Sequence, residues 1–254
     1  MKEGRILMKK SLFLIVIIAI LGLILSGCIA PLESVVPTSE KGNPKPELAT
    51  PTIERGVFTD YGYSSPPWYP PSKETESYRW APRIYWVADD LPIDITVYTA
   101  NEPISLDTFV PIKTGFTTWD AEIGTTLYGS ITEENLETSP GVVLDGANTV
   151  TWASIDGPGG IIGVTYYWYT ATKEMVEFDI VLDSAESWSL TGEEDAFDVQ
   201  NIATHEAGHT LVLSDLRSPK DGALTMHAYT WLGDDMKKTL GLGDILGVEA
   251  IYGE

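Results

Sequence analysis

The stretch "NIATHEAGHTLVLSDL", residues 201–216, holds two of the chain's three histidines, His205 and His209, within five positions. At a spacing of four, a helix places both imidazoles on one face, one turn apart, where their ring nitrogens can chelate a single ion. Glu206 follows the first histidine. It stands beside such an ion rather than in line with it, where a carboxylate can take a proton from an activated water. His-Glu-x-x-His has only three fixed residues and arises by chance in ordinary helices, so its surroundings must decide what it means. Asp215, six residues past His209, becomes a third ligand if the chain leaves the helix and doubles back. Otherwise it is a turn residue.

Outward from that stretch, the chain alternates between the periods of strands and helices. "YRWAPRIYWVA" (78–88), "DITVYT" (94–99), "NTVTWASI" (148–155), "IIGVTYYWYT" (161–170) and "MVEFDIVLD" (175–183) are rich in β-branched and aromatic residues bounded by turn formers. Phe109, Ile112, Phe116 and Trp119 recur at helical spacing, with Ser105 as the expected N-cap and Pro111 tolerable near the first turn. "AFDVQNIATHEAGHTLVL" is a second helix. "LGLGDILGVEAIYG" is a third, with Ile245, Val248 and Tyr252 on one face. The order predicts an α+β fold, a mixed sheet covered by helices.

Three further features change the weight of the histidine pair. Met226 lies in a turn-like "ALTMHAYT", "DGPGG" occupies 156–160, and "DILGVEAIYG" forms the closing helix. With His205, His209 and Asp215 they resemble the metzincin clan, and within it the matrixin family, over roughly Trp80 to Gly253. The resemblance implies a zincin-like, twisted mixed sheet with an edge strand for substrate, an active-site helix and a C-terminal helix. It also implies that His205, His209 and Asp215 hold one catalytic zinc, that Glu206 is the general base, and that Met226 forms the floor of the metal site. Asp as third ligand is a harder donor than His and makes the metal a weaker Lewis acid. "IDGPGG" and "VLDSAESW" match the family's calcium loop, which puts Asp156, Gly157, Gly159, Ile161, Asp183 and Glu186 around a structural Ca²⁺ as oxygen donors. On the edge strand, Ile162 and Gly163 are expected to align an extended peptide by strand addition, with the chain from Met226 to Trp231 walling the pocket beside it.

The sequence departs from the family in informative places. Val212 stands where the family has the glycine of the tight turn after the helix, and a β-branched residue resists positive φ. Val164 and Val181 replace the histidines of the family's second zinc site, so one zinc is expected. No cysteine exists past position 28, so any latency must use another group. His227 reads as a packing or surface residue.

Net charge is −21, and past residue 28 there are 12 basic against 36 acidic residues. Nucleic acid, whose phosphates need Lys and Arg, is not an expected partner; an extended peptide or protein is. Hydrophobic residues at 43%, with 8 Trp and 12 Tyr, suffice for a large core. The single Cys28 excludes an intrachain disulfide or a cysteine-ligated zinc.

The N-terminus reads as an address. "KK" at 9–10 precedes the apolar run Leu12–Leu25 and then "SGC". This resembles a lipoprotein signal over residues 1–27 with Cys28 as the lipid-bearing residue. The alternative is an uncleaved anchor, for which a 14-residue run is short. Either reading places the protein at the outer face of a membrane. Residues 28–77, with "PKPELATP" and "SSPPWYPPS", read as a Pro-rich tether or short pro-segment, and 78–254 as the catalytic domain. The resulting expectation is an exported zinc endopeptidase. The competing readings are a catalytically impaired surface or adhesion domain on the same scaffold, and another zinc hydrolase such as an aminopeptidase. Substrate preference and oligomeric state are not legible.

Overall fold

The computed structural model describes residues 52–63, 72–81, 83–103, 107–136 and 139–253. Cys28, the apolar run before it and Ser105 lie outside the described residues. Among the described residues no helix is long and apolar enough to cross a membrane.

Among the described residues nine strands and three α-helices follow in order: β1 Ile53–Tyr63, β2 Ile93–Tyr98, α1 Phe109–Asp120, β3 Tyr128–Glu134, β4 Thr149–Ala153, β5 Ile161–Thr170, β6 Met175–Asp183, the two-residue pair β7 Trp188–Ser189 and β8 Phe197–Asp198, α2 Val199–Thr210, β9 Tyr229–Trp231 and α3 Leu242–Tyr252. Seven strands form one sheet in the order β3-β2-β4-β6-β5-β1-β9. From β3 to β6 the neighbours are parallel, as crossover connections dictate. β5 turns back antiparallel on β6. The mixed α+β architecture is the one the sequence predicts.

Helices α1 and α2 bury the sheet's inner face. Ile112, Phe116 and Trp119 of α1 are fully buried, the face that the 3-4-3 spacing marks. Gly115 lets the two helices touch: a Cβ there would lie 2.7 Å from the Thr204 amide nitrogen. Three ring donors and hydroxyls hold α2 by its backbone. Trp119 Nε1 donates to the Thr204 carbonyl, Tyr128 Oη to that of Ala207, and Trp86 Nε1 to that of Thr210, at 2.9, 2.9 and 2.8 Å. The last two reach carbonyls of the final helical turn, where the helix's own amides run out, and the Ala207 carbonyl also accepts from the Thr210 hydroxyl at 2.7 Å.

Apart from the short strands β7, β8 and β9, the structure differs from the sequence reading in three places. "YRWAPRIYWVA" makes only isolated bridges, Trp80 with Leu213 and Tyr85 with Glu174. The proline at 82 offers no amide to a ladder, which limits the segment to such contacts. β3 was not anticipated: its "YGSITEE" buries only Tyr128 and Ile131, too sparse an alternation to mark a strand. The third difference bears on the site. The Pro-rich segment read as a tether or short pro-segment contains β1, eleven residues long, which docks along β5.

Candidate metal centre and groove

α2 carries the site. Asp198 caps it, its carboxylate accepting from the Asn201 amide at 3.0 Å, and Lys238 pairs with the same side chain at 2.6 Å. Every residue from Asn201 to Thr210 is buried. His205 Nδ1–H donates to the Thr225 carbonyl at 2.7 Å and His209 Nδ1–H to that of Leu213 at 2.8 Å. A carbonyl can only accept, so each ring carries a proton on Nδ1 and turns its Nε2 the other way. Each Nε2 is buried without a hydrogen-bond partner, and so is Asp215 Oδ1. These three atoms converge: Oδ1 lies 3.6 Å from His205 Nε2 and 3.4 Å from His209 Nε2. Ligands about 2.1 Å from a tetrahedral zinc are themselves about 3.4 Å apart. Three orphaned buried donors at that separation fit zinc. On the protein alone, burial opposes the charged forms. His205 and His209 nonetheless hold Asp215 far below the carboxylate range, and against burial Asp215 keeps His209 raised.

The turn after α2 delivers Asp215 despite Val212. That residue sits at φ 64, in the left-handed region that favours glycine. Its amide donates to the His209 carbonyl at 2.9 Å, its own carbonyl accepts from Ala81, and its side chain is fully buried. Packing therefore holds a β-branched residue in a conformation it avoids alone.

Met226 lies beneath the histidines. A Cβ on Gly208 would stand 2.3 Å from its sulfur and 2.6 Å from Trp119, so the helix must be bare at this point for the floor to reach it. One carboxylate shapes the turn holding Met226. Buried Asp244 of α3 accepts from the amides of Thr225, Met226 and Gly241 at 2.7, 3.0 and 2.8 Å. Burial still keeps its carboxyl above the ordinary range. Neither Gly208 nor Asp244 was singled out in the sequence. The signal available for Asp244 was its position as N3 of a helix begun by Gly241.

Glu206 is fully buried. Its Oε2 accepts from the Thr165 hydroxyl, while Oε1 has no partner. Burial pushes this carboxyl up, against the pull of His209 and His205. Gly163 lies against it: a Cβ there would be 2.5 Å from Oε1.

The edge that sequence assigns to a peptide is covered by the chain itself. β1 runs antiparallel to β5, from Ile53 opposite Thr170 to Tyr61 opposite Ile161. It also runs parallel to β9, with Tyr61 opposite Tyr229 and Tyr63 opposite Trp231. Phe58 stacks flat on His209, ring centroids 4.2 Å apart. Asp60 comes within ligand reach of His205 and Glu206. On this edge Gly163 pairs with Asp60 while Ile162 falls at a register shift without a partner in β1, and the strand that lies where a peptide was expected is the protein's own.

The calcium set is brought to one loop. Gly157 and Gly159 both adopt φ 87. Asp183 accepts from the amides of Ile155, Asp156 and Ala185, Glu186 from those of Gly159 and Gly160, and Asp156 from that of Ile161. The three carboxylates do not meet at one point; among the described residues only the groups His205–His209–Asp215 and Asp60–His205–Glu206 do. His227 is buried, and its pKa is pushed down to about 4 by burial and by the nearby Lys237 ammonium.

The matrixin profile matches residues 86–253, and the chain belongs to the matrixin family. Among curated proteins it is similar to the metalloendoproteinase 4-MMP of Arabidopsis thaliana, 32% identical over 99 residues, covering 37% of this chain and 26% of that one. It is similar also to human matrix metalloproteinase-26, 30% identical over 99 residues (39% and 34%), and to human stromelysin-3, 32% identical over 99 residues (39% and 18%). The matched stretch spans about a third or less of each relative's length.

Proposed function

We propose that the protein is a zinc-dependent endopeptidase. The observation that carries the proposal is the convergence of three buried, unpartnered donors, His205 Nε2, His209 Nε2 and Asp215 Oδ1, next to a buried carboxylate with a free oxygen. Zinc bound there supplies a Lewis acid that polarises a peptide carbonyl and lowers the pKa of water. The chain's own residues do the rest. β5 and β9 hold an extended peptide between them, once β1 has left the groove. Glu206 Oε1 takes the proton of the attacking water and returns it to the leaving amine. Its burial raises its affinity for that proton towards what a general base at neutral pH needs. Thr165 fixes the carboxylate by its other oxygen.

Replacing Glu206 with Gln is expected to abolish cleavage of a casein substrate while zinc stays at one per chain by metal analysis. Full activity in that variant overturns the mechanism. For the Asp156–Glu186 loop we propose calcium as the resident cation. In support, its carboxylates crowd one Gly-rich turn, and among the described residues none of them has a basic partner. Export with lipid on Cys28 is the proposal for the N-terminus. An unmodified methionine at the start of the mature chain, read by mass spectrometry, overturns it.

A further inference from the structure

An ammonium group taken out of water needs an anion beside it. Lys237 is only 1% exposed. Its backbone amide is tied to α2 through Asn201 Oδ1 at 2.6 Å, and its Nζ donates to the His227 carbonyl at 2.6 Å. Asp234 and His227 lie near enough to feel its charge. Among the described residues the carboxylate within ion-pair distance is Asp60 of β1, with Oδ2 3.9 Å from Nζ. The Thr230 hydroxyl of β9 donates to the same Oδ2 at 3.2 Å. Asp60 is fully buried, its side chain dropping from β1 between β9 and α2 towards Lys237.

The register shows which position of a bound peptide this is. Phe58 lies on His209 and Asp60 beside His205 and Glu206, so the backbone of Thr59 crosses between the two histidines. Asp60 faces Gly163, the residue that abuts Glu206. The Thr59–Asp60 bond is therefore the one at the catalytic carboxylate, and Asp60 is the residue on its C-terminal side. Immediately beyond it the register shifts by one, Tyr61 facing Ile161 and Ile162 left without a partner in β1, and the Gly62 amide then donates to the Gly160 carbonyl at 2.9 Å.

We propose that the groove selects peptides with Asp or Glu immediately after the bond to be cut, that Lys237 is the residue that determines this specificity, and that Asp60 occupies the acidic seat in the chain's own strand. The proposal rests on the endopeptidase reading. When β1 leaves, Lys237 loses its ion-pair partner in the pocket, and an incoming acidic side chain replaces it. An uncharged side chain leaves the ammonium unpaired, and a basic one adds repulsion.

The test uses the zinc-loaded full chain, as wild type and as Asp60→Ala, which empties the seat. The probes are synthetic peptides of the sequence Ile53–Tyr63 carrying Asp, Asn, Leu or Lys in place of Asp60. The expected kcat/KM for the Asp peptide exceeds that for Asn or Leu by about a hundredfold, the range for truncating one partner of a buried charge pair, and Lys is poorest. Cleavage falls before the varied residue. In Lys237→Met the Asp-to-Leu ratio collapses to within about threefold while zinc content holds, a change in ratio that general structural damage does not produce. Equal cleavage of the Leu and Asp peptides, or an unchanged ratio in Lys237→Met, overturns the proposal. The peptide series on wild type and Asp60→Ala stands alone if Lys237→Met does not fold. If zinc-loaded wild type and Asp60→Ala cut none of the peptides and no casein, the endopeptidase reading itself fails, and the proposal with it.

Discussion

Val212 allows the sharpest test of the turn that brings Asp215 to the histidines. Its φ of 64 puts a β-branched side chain where L-residues other than glycine pay about 1–2 kcal/mol. Its side chain is fully buried, and burying a valine contributes about 1.5–3 kcal/mol. Val212→Gly relieves the strain, forfeits the packing, and frees the unfolded chain by a further 0.5–1 kcal/mol or so. The balance is a loss of about 1–2 kcal/mol. In a domain of this size that lowers Tm by roughly 5 °C. The decisive comparison is with Val212→Ala. At an ordinary helical or strand position Ala is more stable than Gly. Here the order should invert by up to about 1 kcal/mol, because Ala keeps the left-handed strain and Gly does not. Calorimetry on chelated protein, which removes the contribution of zinc binding, gives the ranking: wild type, then Gly, then Ala. If Val212→Ala melts above Val212→Gly, or Val212→Gly above wild type, the strain argument is wrong.

Three further outcomes are expected. Asp179 is buried among the Thr149 hydroxyl and the Val143 amide, and burial raises its carboxyl to about 6. A folded value above the unfolded one means the native state holds the proton more tightly. The stability it contributes is therefore present below pH about 4 and is lost as pH rises through 6, by up to about 3 kcal/mol. Asp179→Asn should melt higher than wild type at pH 8, and the difference should vanish near pH 4. Gly208→Ala gains helix propensity of about 1 kcal/mol but drives a methyl into Met226 and Trp119; overpacking of about 1–3 kcal/mol should win, with lower Tm and weaker zinc binding in a competition titration. Calcium at about a hundred times its Kd should stabilise chelated protein by about 2.7 kcal/mol, a Tm rise of roughly 5–10 °C, lost in Asp183→Asn; an unchanged Tm removes the calcium assignment.

The helices and inner strands were legible because their residues serve one face at one period, as Ile112, Phe116 and Trp119 do. The convergent group His205–His209–Asp215 was legible in part because its two histidines lie on one helical turn. Asp215 was harder: its placement depends on a turn that Val212 opposes, and only tertiary packing enforces it. β1 was hidden by composition. "IERGVFTDYGY" has little apolar alternation and sits between proline-rich stretches, since half of what it needs is supplied by pairing to β5 and β9 rather than by its own burial. Lys237 was hidden for the opposite reason. A lysine is read as surface unless its partner is known, and that partner, Asp60, lies 177 positions away.

Asp244 sets an order of events. A nascent chain that has emerged as far as α2 already has His205 and His209, but not the carboxylate that gathers the amides of Thr225 and Met226 beneath them. The carbonyl that orients His205 belongs to Thr225 itself. The carboxylate that steadies the carbonyl orienting His205 is therefore synthesised after the histidine it serves, and the aim of that imidazole rests on a helix that begins only at Leu242.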